Sequence, residues 1–233
     1  MFFFPTVRDD ATIGKARVTQ TLIALNVVAF ALTLFFGGRQ VILEYGFIPA
    51  LKTPITWITH MFLHGGFWHI LGNMAFLWIF GKHVEDMLGG MTFLAAYIIG
   101  GFGALLGHML LTGQTMVPLV GASGAISAVM GLYMIMAPAR ATNLNLYVLI
   151  FRVRTFTTNA LGAVMAWLVL QFYYGIGSYL GYISSNTAFW AHIGGFAAGI
   201  GLGLLFIGLG YRDRHLIRQR MYEENLRQQA VEF

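Results

Sequence analysis

No cysteine occurs among the 233 residues, which excludes disulfides, thiolate metal sites and a cysteine nucleophile. Charge is nearly as scarce. Asp, Glu, Lys and Arg make up 10% of the chain, against about 25% in an ordinary soluble domain. What fills the sequence instead is apolar: 58% hydrophobic residues and a mean hydropathy of +0.70 describe a polytopic membrane protein. The net charge of +5 sits mainly at the two ends and in one loop. That is a topology signal rather than a nucleic-acid footprint, so no nucleic-acid partner is expected. The N-terminus, Met1-Phe-Phe-Phe-Pro5, has no basic stretch ahead of an apolar run, and no removable signal peptide is expected.

Apolar runs divide the chain into six expected spans at 18–36, 67–81, 91–111, 123–137, 160–177 and 189–210. A polar arm, 1–17, precedes them and a polar tail, 211–233, follows; 138–158 is a connector with an apolar stretch expected at the membrane surface. Six spans put both termini on one side. Arg8, Lys15, Arg17, Lys82, Arg140, Arg152, Arg154 and the five arginines of the tail share that side, while the other has only Arg39 and Lys52. The positive-inside rule then predicts an all-α, six-helix bundle with both termini cytoplasmic. The three parts are a cytoplasmic arm (1–17), a membrane domain (18–210) and a basic cytoplasmic tail that meets anionic headgroups (211–233).

One hydroxyl stands out. Gly121-Ala-Ser123-Gly124 follows Pro118 and opens the fourth apolar run, which Pro138 ends. Taken alone, a serine among glycines is close helix packing. A helix over 123–137, however, is only roughly 22 Å long, short of a roughly 30 Å hydrocarbon core. Its N-terminus therefore lies below the membrane surface, where a helix dipole favours developing negative charge. Spans two, four and six all enter from the face opposite the termini, each with a polar residue near its entry: His69 and Asn73, Ser123, and His192. Intramembrane polar groups are functional hypotheses by default. Gly195, Gly199 and Gly203 form a stripe on the sixth span, answered by Gly124, Ala128 and Gly131 on the fourth. Two smooth faces can approach closely and bring Ser123 to His192, the pairing a serine hydrolase needs. None of the nine carboxylates has a strong claim to orient His192. The expectation is a Ser123–His192 dyad, with Asn73 and His69 donating to an oxyanion beside backbone N–H groups. His60, His64 and His108 read as structural, and Glu85 and Asp86 as ordinary charge at a span's end.

At these residues the chain resembles the rhomboid family of intramembrane serine proteases in its six-span bacterial form. The motifs are Gly121-Ala-Ser123-Gly124, Ala191-His192-Ile-Gly-Gly195-Phe-Ala-Ala-Gly199 and His64-Gly-Gly-Phe-Trp-His69-Ile-Leu-Gly-Asn73, with Gly81-Lys-His-Val-Glu85-Asp86 and Tyr45-Gly-Phe-Ile-Pro49 in support. The resemblance implies a protease of a bacterial plasma membrane that cuts other proteins' transmembrane segments near the outer face. Ser123 would be its nucleophile and His192 its general base, with His69 and Asn73 at the oxyanion hole and His64 supporting. The fifth span and the loop after it would gate the substrate, and neither a metal nor a cofactor is implied. Ser127 stands where some members carry an aromatic under the imidazole, and the Trp-Arg pair of some members' first loop is absent. A rhomboid-like pseudoprotease or chaperone, which binds transmembrane segments without cutting them, normally loses the serine or the histidine; both are here. A transporter would place charge or broken helices near the midplane, whereas these polar residues gather at one end.

Overall fold

The structure, a computed structural model, describes residues 2–8, 12–148, 151–185 and 187–231. In chain order the elements are strand β1 (Phe2–Val7), helices α1 (Arg17–Phe35), α2 (Arg39–Tyr45), α3 (Thr56–Thr59), α4 (Phe67–Phe76), α5 (Lys82–Leu88), α6 (Gly90–Thr112) and α7 (Ser123–Met136), strands β2 (Ala141–Val148) and β3 (Phe151–Asn159), then helices α8 (Ala160–Tyr179), α9 (Phe189–Gly208) and α10 (Tyr211–Val231). Between α4 and α5 the chain stays helical and widens to a π-turn over Leu77–Gly81, so the second span is one rod from Phe67 to Leu88. Among the described residues four helices, α1, α6, α8 and α9, are long and apolar enough to cross a membrane unaided, and α7 is a shorter apolar helix beside them. The molecule is a helical polytopic membrane bundle.

Helix α9 runs through its middle, packed most extensively on α7 and α6. Small residues make this possible. A Cβ at Gly195 would collide with the Gly124 carbonyl and one at Gly199 with the Ala128 carbonyl; one at Gly203 would lie 2.9 Å from Ile135 Cβ. On the other flank, a Cβ at Gly107 would lie 2.6 Å from Gly194 Cα. Lipid tails are as apolar as leucine, so close packing of this kind, not apolar burial, holds membrane helices together.

The chain differs from its sequence reading mainly at the charged end of the bundle. The arm and the connector, expected as a polar arm and a surface loop, form a three-stranded antiparallel sheet in the order β1-β2-β3. Its register pairs Val7 with Thr142 and Ala141 with Asn159. Threonines and alternating Arg, Val and Phe along 152–158 suit a half-solvated strand, and Pro5 is tolerated because β1 is an edge. Buried Asn145 ties all three strands: its amide donates to Thr6 Oγ1 (3.0 Å) and its carbonyl oxygen accepts from Thr155 Oγ1 (2.9 Å).

Glu85 and Asp86 are buried, not solvated. Ala16, at the N-cap of α1, offers no side-chain acceptor. Glu85 supplies one from another helix, accepting from Val18 N (2.9 Å), Thr19 N (2.7 Å) and Thr19 Oγ1 (2.7 Å). A carboxylate there also complements the helix dipole. Asp86 accepts in the same way from Gly14 N (2.9 Å) and Ile13 N (3.3 Å). The tail, expected to be an amphipathic or free helix, docks by its first turns. Arg218 donates to the Asp86 carbonyl and, at 3.2 Å, meets His215 Nδ1. Burial pushes the His215 imidazole below its ordinary pKa, against the opposing pull of Asp86, and a neutral ring can accept from the guanidinium. On α10, Ile217 and Met221, four residues apart, are exposed on one face, and Leu226 is exposed on the opposite one.

Candidate active site

The segment leading into α7 is built from loops that hold one another. Phe47 N donates to Leu119 O (3.0 Å) and Leu119 N to Phe47 O (2.7 Å), a short antiparallel bridge between the first loop and the loop before α7. Gly121 N then donates to the His60 carbonyl at 2.9 Å, so the stretch read as structural anchors the turn beside the serine. Gly121 has φ +122°, where an L side chain is strained, and a Cβ there would come within 2.8 Å of His69 Nε2 and 3.7 Å of Ser123 Oγ. Its hydrogen keeps open the small space that His69 and Ser123 flank.

Ser123 is the first residue of α7, preceded by Ala122 at the N-cap, and its hydroxyl does not cap the helix. It meets His192 instead: Ser123 Oγ and His192 Nε2 are 2.8 Å apart. The two helices can come this close because of the Gly124–Gly195 and Ala128–Gly199 contacts below. The backbone N–H groups of Ser123, Gly124 and Ala125 lie in the first turn, where α-helix geometry provides no internal acceptor. Ser127, one turn deeper, is buried and donates its Oγ–H to the Ser123 carbonyl at 2.7 Å. It is thus a backbone tie, not a second open hydroxyl.

His192 is held on its other side by a residue outside the sequence motifs. Gln171 Oε1 lies 2.7 Å from His192 Nδ1. An amide oxygen can only accept, so Nδ1 carries the ring proton and Nε2 is left to accept from the serine. Trp167, one turn before Gln171 on α8, has its ring centroid 6.1 Å from the imidazole, and Phe189 meets it edge-on at 6.4 Å. These groups occupy the role left open by Ser127. The third member is not a carboxylate: Gln171 is the one amide in the fifth span. A lone polar side chain in an apolar run was the available signal.

The second span delivers the remaining residues. His69 is exposed and faces Gly121; Gly65 N approaches its Nδ1 at 3.4 Å. His64 is buried, its ring 5.0 Å from that of His69. Asn73 is also buried, and its amide N–H donates to the His69 carbonyl at 2.9 Å. Ser123, His192, Gly121 and His69 thus come together with Gln171, while Asn73 sits one helical turn beyond His69 and is tied to it. Among the described residues no three His, Asp or Glu side chains converge as metal ligands.

A sequence model of the Rhomboid domain matches residues 52–209. The chain is 32% identical over 151 residues to RHOMBOID-like protein 5 of Arabidopsis thaliana, covering 64% of this chain and 43% of that protein. It is 29% identical over 131 residues to Rhomboid protein 1, mitochondrial, of Saccharomyces cerevisiae (52% and 37% of the two chains). With Rhomboid protease GlpG of Yersinia pestis it shares 27% identity over 132 residues (55% and 45%). The aligned part is less than half the length of each of these relatives.

Proposed function

The chain belongs to the rhomboid family, and we propose that it is an intramembrane serine endopeptidase acting through Ser123 and His192. The observation that carries this reading is the 2.8 Å approach of Ser123 Oγ to His192 Nε2 at the N-terminus of a short apolar helix. Its substrates are transmembrane segments of other membrane proteins, cut in or next to the bilayer. The unit responsible is 18–210, flanked by a cytoplasmic arm and a basic tail. The site opens toward the side opposite the termini, and a bacterial plasma membrane fits the compact form.

The chemistry follows from the proton positions. His192 Nε2 takes the hydroxyl proton of Ser123 as Oγ attacks the scissile carbonyl carbon. The carbonyl π-pair moves onto oxygen, and the resulting oxyanion is met by the Ser123 backbone N–H with Asn73 and His69 as side-chain donors. The proton on Nε2 then passes to the departing amine, the C–N bond breaks and an acyl-serine remains. Water, deprotonated by the same nitrogen, completes hydrolysis and restores the serine. Asn73 must swing its amide, or use its second N–H, to reach the oxyanion, because one N–H is engaged by His69 O.

Labelling of detergent-solubilised protein with a fluorophosphonate probe tests the proposal. Wild type should label, while Ser123→Ala and His192→Ala should not. If wild type neither labels nor cleaves a transmembrane substrate, the protease reading fails and binding without cleavage takes its place.

A further inference from the structure

We infer that Gln171 is a positioning residue for the reaction: it fixes the tautomer and orientation of His192, completing a Ser123–His192–Gln171 triad without a carboxylate. This rests on the protease reading above and deepens it. Three observations converge. Gln171 Oε1 lies 2.7 Å from His192 Nδ1, and His192 Nε2 lies 2.8 Å from Ser123 Oγ, so both ring nitrogens are engaged and in the order that proton abstraction requires. Gln171 is 9% exposed, so water competes little for its oxygen. Trp167, one turn earlier on the same helix, packs on both His192 and Phe196 (centroids 6.1 Å in each case). The acceptor and this ring therefore both come from α8, while Phe189, on the helix that carries His192, adds an edge contact.

The chemistry explains why an amide can serve. In either tautomer a neutral imidazole has one donor and one acceptor nitrogen, and the wrong choice presents N–H to the serine. An acceptor on Nδ1 selects the useful form without putting a further carboxyl group into the bilayer, where an ionisable residue is costly. When His192 becomes imidazolium, Nδ1–H still donates to Gln171 Oε1, and a hydrogen bond with one charged partner is stronger than a neutral one. The support strengthens where the barrier lies.

The test compares wild type, Gln171→Met, Gln171→Glu and Ser123→Ala by fluorophosphonate labelling, resolving the probe's apparent affinity from the maximal labelling rate. Methionine keeps length and volume but removes the acceptor, and glutamate keeps an acceptor oxygen in either protonation state. The maximal rate of Gln171→Met should fall by about 10-fold or more, as expected for loss of one hydrogen bond that strengthens at the barrier, with the probe's affinity unchanged. Gln171→Glu should label within about threefold of wild type, a recovery that a filler of space would not give to glutamate over methionine. In wild type, ¹⁵N NMR of His192 should report the Nδ1–H tautomer, and in Gln171→Met a mixture. Equal labelling rates for the methionine variant and wild type, or a fall that glutamate does not reverse, would overturn the assignment. Failure of wild type itself to label or cleave would strike the protease reading instead.

Discussion

The two ends of the bundle hold their polar groups in opposite ways. At the charged end, Glu85 and Asp86 spend their oxygens mainly on backbone N–H groups of residues 13–19. Those donors are fixed in the chain and lose nothing by being held. At the serine end, Ser123, His192 and Gln171 bond side chain to side chain, each from a different helix. A proton can move between the hydroxyl and the imidazole while the amide only holds the ring, and this geometry depends on how three helices sit. Both arrangements satisfy buried polar groups. In these two clusters the partner marks the role: backbone donors around Glu85 and Asp86 fix the start of α1, whereas the hydroxyl and imidazole of Ser123 and His192 form a pair between which a proton can move.

If that contrast is right, mutations at the two ends should separate rate from stability. The largest effect is expected at Ser123→Ala and His192→Ala, which should lower cleavage of a transmembrane substrate by more than about 10⁴-fold. Their melting temperatures in detergent should match wild type, since each change removes a side chain from a site and not from a seam. Next comes Asn73→Ala, which should slow cleavage by about 10²-fold if the amide is one oxyanion donor among several. Steady-state kinetics should show the loss in kcat more than in KM.

Glu85→Ala reverses the pattern. It strips the acceptor from three donors at the start of α1 and should cost about 2–4 kcal/mol of stability. Unfolding in mixed micelles should register that loss, while labelling per folded molecule stays at the wild-type rate. The smallest effect is assigned to Ser127→Ala, whose hydroxyl only returns a bond to the Ser123 carbonyl. Stability should change by about 1 kcal/mol or less, and activity should persist. A dead Ser127→Ala with an active Ser123→Ala would exchange their roles.

Composition and spacing alone determined that this is a helical membrane protein, where its apolar runs lie, and that Ser123, His192, His69 and Asn73 belong to one end of it. Those inferences are local or one-dimensional: hydropathy reports a span, charge reports its ends, and glycines four apart report a smooth face. Tertiary structure decided what those rules do not encode. The sheet joins β1 to β2 across more than a hundred residues of intervening sequence, so alternation in β2 and β3 had no visible partner when read in order. The burial of Glu85 depends on α1 beginning beside it. Likewise, Gln171 is only a glutamine in an apolar run until α8 lies against α9 and sets its oxygen on His192. Periodicity is a property of one helix; a hydrogen bond between helices is a property of their packing, and the packing of glycine faces at α6, α7 and α9 decided which side chains could meet.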